Sequence, residues 1–468
     1  MELWRNIRKR AVGLRARVGE FGWYVALFLG VQMVVSLVNV YTGLWLIPQV
    51  IPQADLGAVL PLLQLTVFLA MPLSLVLTPV GKYLNTFMAK GETGKARALL
   101  LDACRISLVA AVVMVAYTLV VAPFLLLRMR VNSSGVMLVL LCAMAFLSGV
   151  KPVLTSATQA LKKFDNMLAG SVAVAPLRLV LIWVLAGSFG VSGYVGAQFG
   201  VELAGALIAI YGLRRVLAKG QVTESYRMHW REMFAFSVPL IACTVAGTLV
   251  GFVDPLVIRH RLPEVESAAY YIITRFSEIP GYLGGVLGLV LFPLVSERFE
   301  QGLSTGRLLR DANILNVVLG GALVVVLFWG GEWILHLRPA WAAYTGYARF
   351  MGPLGFLQWI GVPISAFILH ETACRRFGYL WICSAIMLIK TGLLYCLTGW
   401  AFFQPYLPAA WWESVNRVDA ARLDFIVPLF LVTQITMLLI MAGILVRRHY
   451  RPARTVATTG QQQTGGLP

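Results

Sequence analysis

Seven charged side chains fall in or at the end of stretches that are otherwise apolar: the bases Lys151, Arg178, Arg275 and Lys390, and the acids Glu202, Glu278 and Asp254. Carrying an ionisable group into a bilayer costs about 2.5–3.5 kcal/mol on insertion scales, so each needs a partner or a task. Asp254 sits at the outer end of its stretch, which leaves four cations against two acids at mid-depth. That balance suits a cavity that receives an anion. Ser148, Lys151, Thr155, Thr158 and Gln159 recur at spacings close to three and four, so one helical face carries polar groups inward while the rest meets lipid.

Other arrangements of the same residues stay open. Arg178 lies twelve residues before Gly190 and Glu202 twelve after it, which sets them at equal depth on adjacent antiparallel helices and offers an ion pair. Arg275 and Glu278, three apart on one face, offer a second. Lys151 and Lys390 have no acid at obvious reach, and Lys151 has the alternative of snorkelling to the nearer surface.

The elements that must hold these groups are apolar runs at roughly 23–47, 57–80, 103–127, 135–160, 167–187, 191–213, 233–254, 268–296, 311–335, 344–372, 377–399 and 424–447. Each is about the 20 residues that a membrane helix needs. The 468 residues are 59% hydrophobic and 13% charged, against about 45–50% and 25% in soluble chains. A cytosolic enzyme, a secreted disulfide domain and a disordered chain are excluded. A β-barrel would alternate over about ten residues and is excluded too. The expectation is an all-α integral membrane protein of about twelve transmembrane helices.

Of the 39 Lys and Arg, 27 fall in segments on the side of the N-terminus and eight on the opposite side. This asymmetry places both termini in the cytoplasm and explains the net charge of +18 by topology rather than by nucleic acid. Residues 1–22 read as an uncleaved basic tail and 448–468 as a disordered cytoplasmic tail.

A shift of about 211 residues superposes the chain on itself. Pro52 falls on Pro263, Pro152 on Pro363, Lys162-Lys163-Phe164 on Arg375-Arg376-Phe377, Asp102-Ala103 on Asp311-Ala312, and Arg178 on Lys390. Six helices per half make the repeat parallel, about an axis along the membrane normal. The lobes are then 23–213 and 233–447, joined by a cytoplasmic linker at 214–232 and arranged around a central cavity. Prolines such as Pro152, Pro176, Pro363 and Pro428 permit kinks, and Gly281, Gly284, Gly285 and Gly288 permit close helix approach, as alternating access requires.

Catalytic signatures are absent. There is no GxxxxGK[ST], HExxH, GxSxG or CxxC, and His370-Glu371 reads as loop. No cofactor, metal site or disulfide framework is expected, and the chain is not read as an enzyme.

Particular stretches resemble a known group. They are Asp55-Leu56-Gly57, Pro79-Val80-Gly81-Lys82, Gly91-Glu92 to Arg97, Gln159-Ala160-Leu161-Lys162-Lys163-Phe164, and Arg178 followed by Gly190-Val191-Ser192-Gly193-Tyr194. Over residues 20–450 the chain resembles the multidrug/oligosaccharidyl-lipid/polysaccharide exporter (MOP) superfamily, in particular its Wzx-type flippases for O-antigen and other surface polysaccharides. The resemblance implies a multi-pass protein of the bacterial inner (plasma) membrane. It would pass an undecaprenyl-diphosphate-linked oligosaccharide between leaflets, with membrane lipid and the polymerase machinery as partners. By position, Lys151, Arg178, Arg275 and Lys390 would be the cavity cations, with Thr155 and Gln159 beside them and ion coupling through Glu202, Glu278 or Asp254. The alternatives are a multidrug/cation antiporter of the same fold, a lipid II flippase, and a polymerase or ligase using Glu413, Arg417, Asp419 and Arg422 of the 400–423 loop.

Overall fold

The computed structural model describes residues 30–89, 92–131, 134–160, 164–218, 230–282, 303–374, 378–397 and 423–449, with a few positions between 291 and 299. The expected tails, most of the linker and the 400–423 loop lie outside the described residues, as do Lys162, Lys163, Arg375 and Arg376.

Every described segment is built on helix, because in hydrocarbon a chain must satisfy its own backbone groups. The first half contains α1 (Gly30–Val50), α2 (Gln53–Ala89), α3 (Thr93–Arg128), α4 (Gly135–Ala160), α5 (Phe164–Leu181, then a π-helical turn at Ile182–Ala186) and α6 (Gly187–Ala218). The second contains α7 (Trp230–Arg261), α8 (Glu264–Ser277), α9 (Gly306–His336), α10 (Met351–Ala373), α11 (Gly378–Leu397) and α12 (Leu423–His449). By length and apolarity 8 described segments are able to cross a membrane. One of them, Leu168–Arg214, is two helices meeting at Gly190, whose φ of +56° and ψ of −132° only glycine adopts without strain.

Several helices outrun their apolar windows. Hydropathy sees the lipid-facing core, whereas the backbone continues through polar turns that make their own pairs, such as Lys95–Glu92 (3.3 Å) and Arg105–Asp102 (3.6 Å) at the start of α3. Helix α7 likewise runs to Arg261 rather than stopping near 254, so Asp254 is inside a helix and buried, not at an outer end. His370 and Glu371 are not loop either. They are buried in α10, where His370 Nε2 lies 2.9 Å from Thr305 Oγ1.

The packing repeats between halves. Helix α3 packs on α4, α4 on α6 and on α2, and α5 on α6; correspondingly α9 packs on α10, α10 on α12 and on α8, and α11 on α12. Between the halves α2 meets both α7 and α8, and α8 meets the end of α1, as a two-fold axis running between α2 and α8 requires.

The two ends of the bundle differ. At the α1–α2 end a single apolar core draws on both halves, from Leu44, Leu56 and Leu126 to Ile258, Tyr271 and Trp341. At the other end are two separate cores. One lies among α2, α3, α4 and α6 (Leu84, Leu99, Leu154, Leu213), and the other among α9, α10, α11 and α12 (Leu309, Phe367, Leu380, Met437).

Directed bonds reinforce the fused end. Residues Thr42–Leu46 of α1 are π-helical, and Pro48 has no N–H to return to the carbonyl of Leu44. Second-half side chains donate to three successive carbonyls there: Tyr271 OH to Gly43 (3.0 Å), Trp341 Nε1 to Leu44 (3.0 Å) and Arg338 Nη1 to Trp45 (3.1 Å). Trp341 also meets Trp45 and Phe276 edge-on, at 4.6 and 5.1 Å between ring centroids. A second tie joins the ends of α3 and α7, where Arg259 Nε donates to the Met129 carbonyl and Arg130 Nη2 to the His260 carbonyl, both at 3.0 Å.

Trp341→Phe keeps the ring packing but removes one hydrogen bond, and is expected to cost about 1 kcal/mol. Trp341→Ala empties a buried site and is expected to cost about 3–5 kcal/mol. Thermal unfolding in detergent checks the ranking, and equal losses would show that Trp341 does not fill the joint between the halves.

Candidate functional site

Two polar cavities lie on the inner surfaces of these helices. The first, about 260 Å³, sits between the halves. Helix α1 contributes Asn39 and Thr42, α5 Arg178, α6 Tyr194 and Gln198, and α8 Tyr271, Arg275, Glu278 and Tyr282. The second, about 220 Å³, lies within the first half among α4, α5 and α6, and is lined by Lys151, Thr155, Thr158, Ser171, Arg178 and Glu202. The i, i+4 spacing of Lys151 and Thr155, with Thr158 three further on, brings all three to this one wall, as the polar stripe of α4 predicts.

Ion pairing inside the bundle is only partly what helix arithmetic suggests. Arg275 and Glu278 do pair along α8, Nη1 to Oε2 at 2.8 Å, and Tyr282 OH donates to the same carboxylate at 3.3 Å. The Arg178–Glu202 pair does not form. Glu202 instead accepts a short bond from Lys151 Nζ, while Arg178 Nη1 donates to the side-chain oxygen of Asn39. Counting from the Gly190 turn gave the right depth, since Arg178 and Glu202 line the same cavity, but it carries no information about which way each side chain turns.

Lys390 has an acid after all. Its Nζ lies 2.5 Å from Asp254 Oδ2 and 4.2 Å from the Phe430 ring centroid, with both charged side chains only 12% exposed. It lines neither of these two polar cavities. The side chain of Gln159 lies outside the described residues.

Charge then distributes simply. In the inner cavity Lys151 and Glu202 cancel, and in the central cavity Arg275 and Glu278 cancel. Among the described residues each cavity is left with one positive charge, and in both it is the same side chain, Arg178, which forms part of the wall of each. Its one described bond is to a neutral amide, and its Nε is buried without a hydrogen-bond partner. A guanidinium offers five donors in a planar fork, and the one described bond uses a single one of them. Charge counting missed Asn39, Tyr194, Gln198, Tyr271 and Tyr282 because none of them is an ion at neutral pH. Their only signal in the sequence is a polar group in an apolar run.

Residues 82–299 match the family model described as polysaccharide biosynthesis protein. A search of curated proteins gave no sequence match. Among solved structures, a multidrug resistance MATE family transporter of the MOP superfamily in its inward-facing conformation superposes with a TM-score of 0.64 at 14% identity, over 92% of this chain and 100% of the other. The fold is that of a MOP-superfamily transporter.

An outward-facing MATE family structure gives 0.61 at 14% identity, over 91% and 96% of the two chains. A MOP superfamily transporter from Pyrococcus furiosus, described as having a binding pocket of reverse polarity that suggests a different function, gives 0.55 at 13% identity, over 91% and 96%. The fold is thus shared with solved membrane transporters, and the polysaccharide biosynthesis model matches residues 82–299 of the chain.

The buried Lys390–Asp254 pair gives a test of this charge map. Asp254→Asn leaves an ammonium buried with only a neutral partner and is expected to cost about 3–5 kcal/mol, whereas Asp254→Leu with Lys390→Leu is expected to restore most of it. Glu202→Gln, at a pair about a third exposed, is expected to cost about 1 kcal/mol or less. Unfolding midpoints of the purified variants check the order. Equal costs at the two sites would mean that the Lys390 pair is hydrated.

Proposed function

We propose that this transporter is a flippase for undecaprenyl-diphosphate-linked oligosaccharide, moving it from the inner to the outer leaflet of the bacterial plasma membrane for surface polysaccharide synthesis. One observation carries the reading: the two polar cavities of the lobes are each left with a single unneutralised cation, Arg178. A diphosphate placed there meets a guanidinium fork, with the hydroxyl of Tyr194 and the amide of Gln198 beside it. Thr155 and Thr158 offer hydroxyls to sugar on the other side of Arg178. The polyprenyl tail stays in lipid.

In this reading the chain crosses the membrane twelve times with both termini in the cytoplasm, the lobes are 23–213 and 233–447, and 214–232 is a cytoplasmic linker. The fused α1–α2 end then faces outward and the split end faces the cytoplasm, where the lipid-linked substrate is made. A driving proton or cation taken up at Glu202, Glu278 or Asp254 would release the paired base, which links ion binding to the charge in the bundle.

Several structural neighbours are multidrug transporters. A cationic drug would want an acidic cavity, and the excess charge here is of the opposite sign. The neighbour from Pyrococcus furiosus, with its pocket of reverse polarity, is a precedent for this fold serving more than one kind of pocket.

The test is complementation of a strain lacking the gene. Arg178→Ala is expected to leave lipid-linked repeat units on the cytoplasmic side and to cut surface polysaccharide about tenfold or more, the value of a lost charge-assisted bond, while Arg178→Lys retains part of the activity. Repeat units that reach the outer face unpolymerised in the deletion strain would instead place the protein after flipping. Unchanged polysaccharide in that strain would return the reading to drug export.

A further inference from the structure

The shift of 212 that equates Arg178 with Lys390 brings Asn39 to Gly251, one helical turn short of Asp254, and the bonding in the structure matches Asn39 with Asp254. The structure places these four residues in the same relation twice. In one lobe a base on α5 bonds the Oδ of a residue on α1, and in the other a base on α11 bonds the Oδ of a residue on α7. The two pairs differ in one atom that matters. The second lobe has a carboxylate, which neutralises Lys390, and the first has a carboxamide, which holds Arg178 but leaves its charge intact.

Holding and neutralising are separate jobs. The Asn39 oxygen fixes the guanidinium through a single bond at the wall shared by both cavities, at no cost in net charge. An aspartate there would keep the geometry and cancel the charge, as Asp254 does for Lys390. Both cavities would then be neutral, because their remaining cations, Lys151 and Arg275, already have Glu202 and Glu278.

We infer that Asn39 is the specificity-determining position of the substrate cavity. It is a positioning residue that presents Arg178 as a charged fork to a diphosphate, so the first lobe of the repeat binds the anion and the second is electrostatically closed to it. The inference rests on the proposed anionic substrate and deepens it by naming the lobe and the residue that set the sign of the cavity.

The test is binding of farnesyl diphosphate, a short-chain probe, to the purified full chain in detergent, with thermal unfolding recorded in parallel. Wild type is expected to bind, and more weakly as salt rises. Asn39→Asp is expected to weaken binding about tenfold to a hundredfold, the range of a charge-assisted hydrogen bond, with no drop in unfolding temperature. Asn39→Ser, which keeps a neutral oxygen, is expected to stay within a few-fold of wild type. The matched change in the other lobe, Asp254→Leu with Lys390→Leu, is expected to leave affinity unchanged.

If wild type binds and Asn39→Asp binds equally well, the role of Asn39 is wrong while the anionic substrate survives. Loss of affinity in the Asp254–Lys390 double variant with retained folding would move the anion to the second lobe and overturn the inference. If wild type does not bind the diphosphate at all, the proposed substrate and the inference fall together.

Discussion

A carbonyl turned away from its helix in hydrocarbon has no water to bond, and an unpaired group costs several kcal/mol. The π-helical turn of α1 must therefore find its donors elsewhere in the protein. It finds them in the opposite half, from Tyr271, Arg338 and Trp341. A defect in one helix thereby becomes the joint between the lobes. The neighbouring apolar core is shared for the same reason: residues held within hydrogen-bonding distance of each other also exclude lipid. At the other end the described residues form two separate cores. One end fused and one end split is what makes a cleft between the lobes possible.

Charge inside the bundle follows the same accounting of partners. Lys151, Arg275 and Lys390 each have a carboxylate. The Lys151 and Lys390 pairs join two helices each, the Arg275 pair lies along one, and none of the three adds net charge to a cavity. Arg178 departs from the pattern, and it stands at the wall common to both cavities. Since the fields of the neutral pairs fall off quickly with distance, one unneutralised guanidinium sets the sign of the potential in both spaces. Specificity for an anion needs no larger basic cluster, which would cost more to bury than a single site repays.

Much of this was legible in the sequence, and the rest was hidden for definite reasons. Apolar runs located the helices, because hydrocarbon permits little else. The Arg275–Glu278 pair was readable because both residues share one helix, where spacing fixes azimuth as well as depth. Between helices, spacing fixes depth alone. Arg178 and Glu202 were correctly level, yet the turn at Gly190 and the π turn at Ile182–Ala186 rotate the flanking faces, and Lys151 on α4 reaches the carboxylate instead. Asp254 was misplaced because hydropathy falls near the polar residues of α7 before the helix ends. Asn39 went unseen because a census of ions does not count an amide, and the shift of 212 that pairs Arg178 with Lys390 takes Asn39 to Gly251, one helical turn short of Asp254.

The two lobes illustrate how a duplicated scaffold acquires a direction of preference. Duplication gives each lobe a base on its fifth helix and an oxygen ligand on its first. While both copies are alike, a central ligand meets the same potential from either side. Exchanging a carboxylate for an amide in one copy changes no backbone and no hydrogen-bond geometry, but shifts the local charge by a full unit. The packing that α5 needs against α1 is kept in both copies, so the fold tolerates the exchange. The consequence is a difference in local charge, intact at Arg178 and cancelled at Lys390, and the proposed anion would sit at the former. A tight helix-to-helix contact thus carries the architecture, and the identity of one acceptor atom within it carries the selectivity.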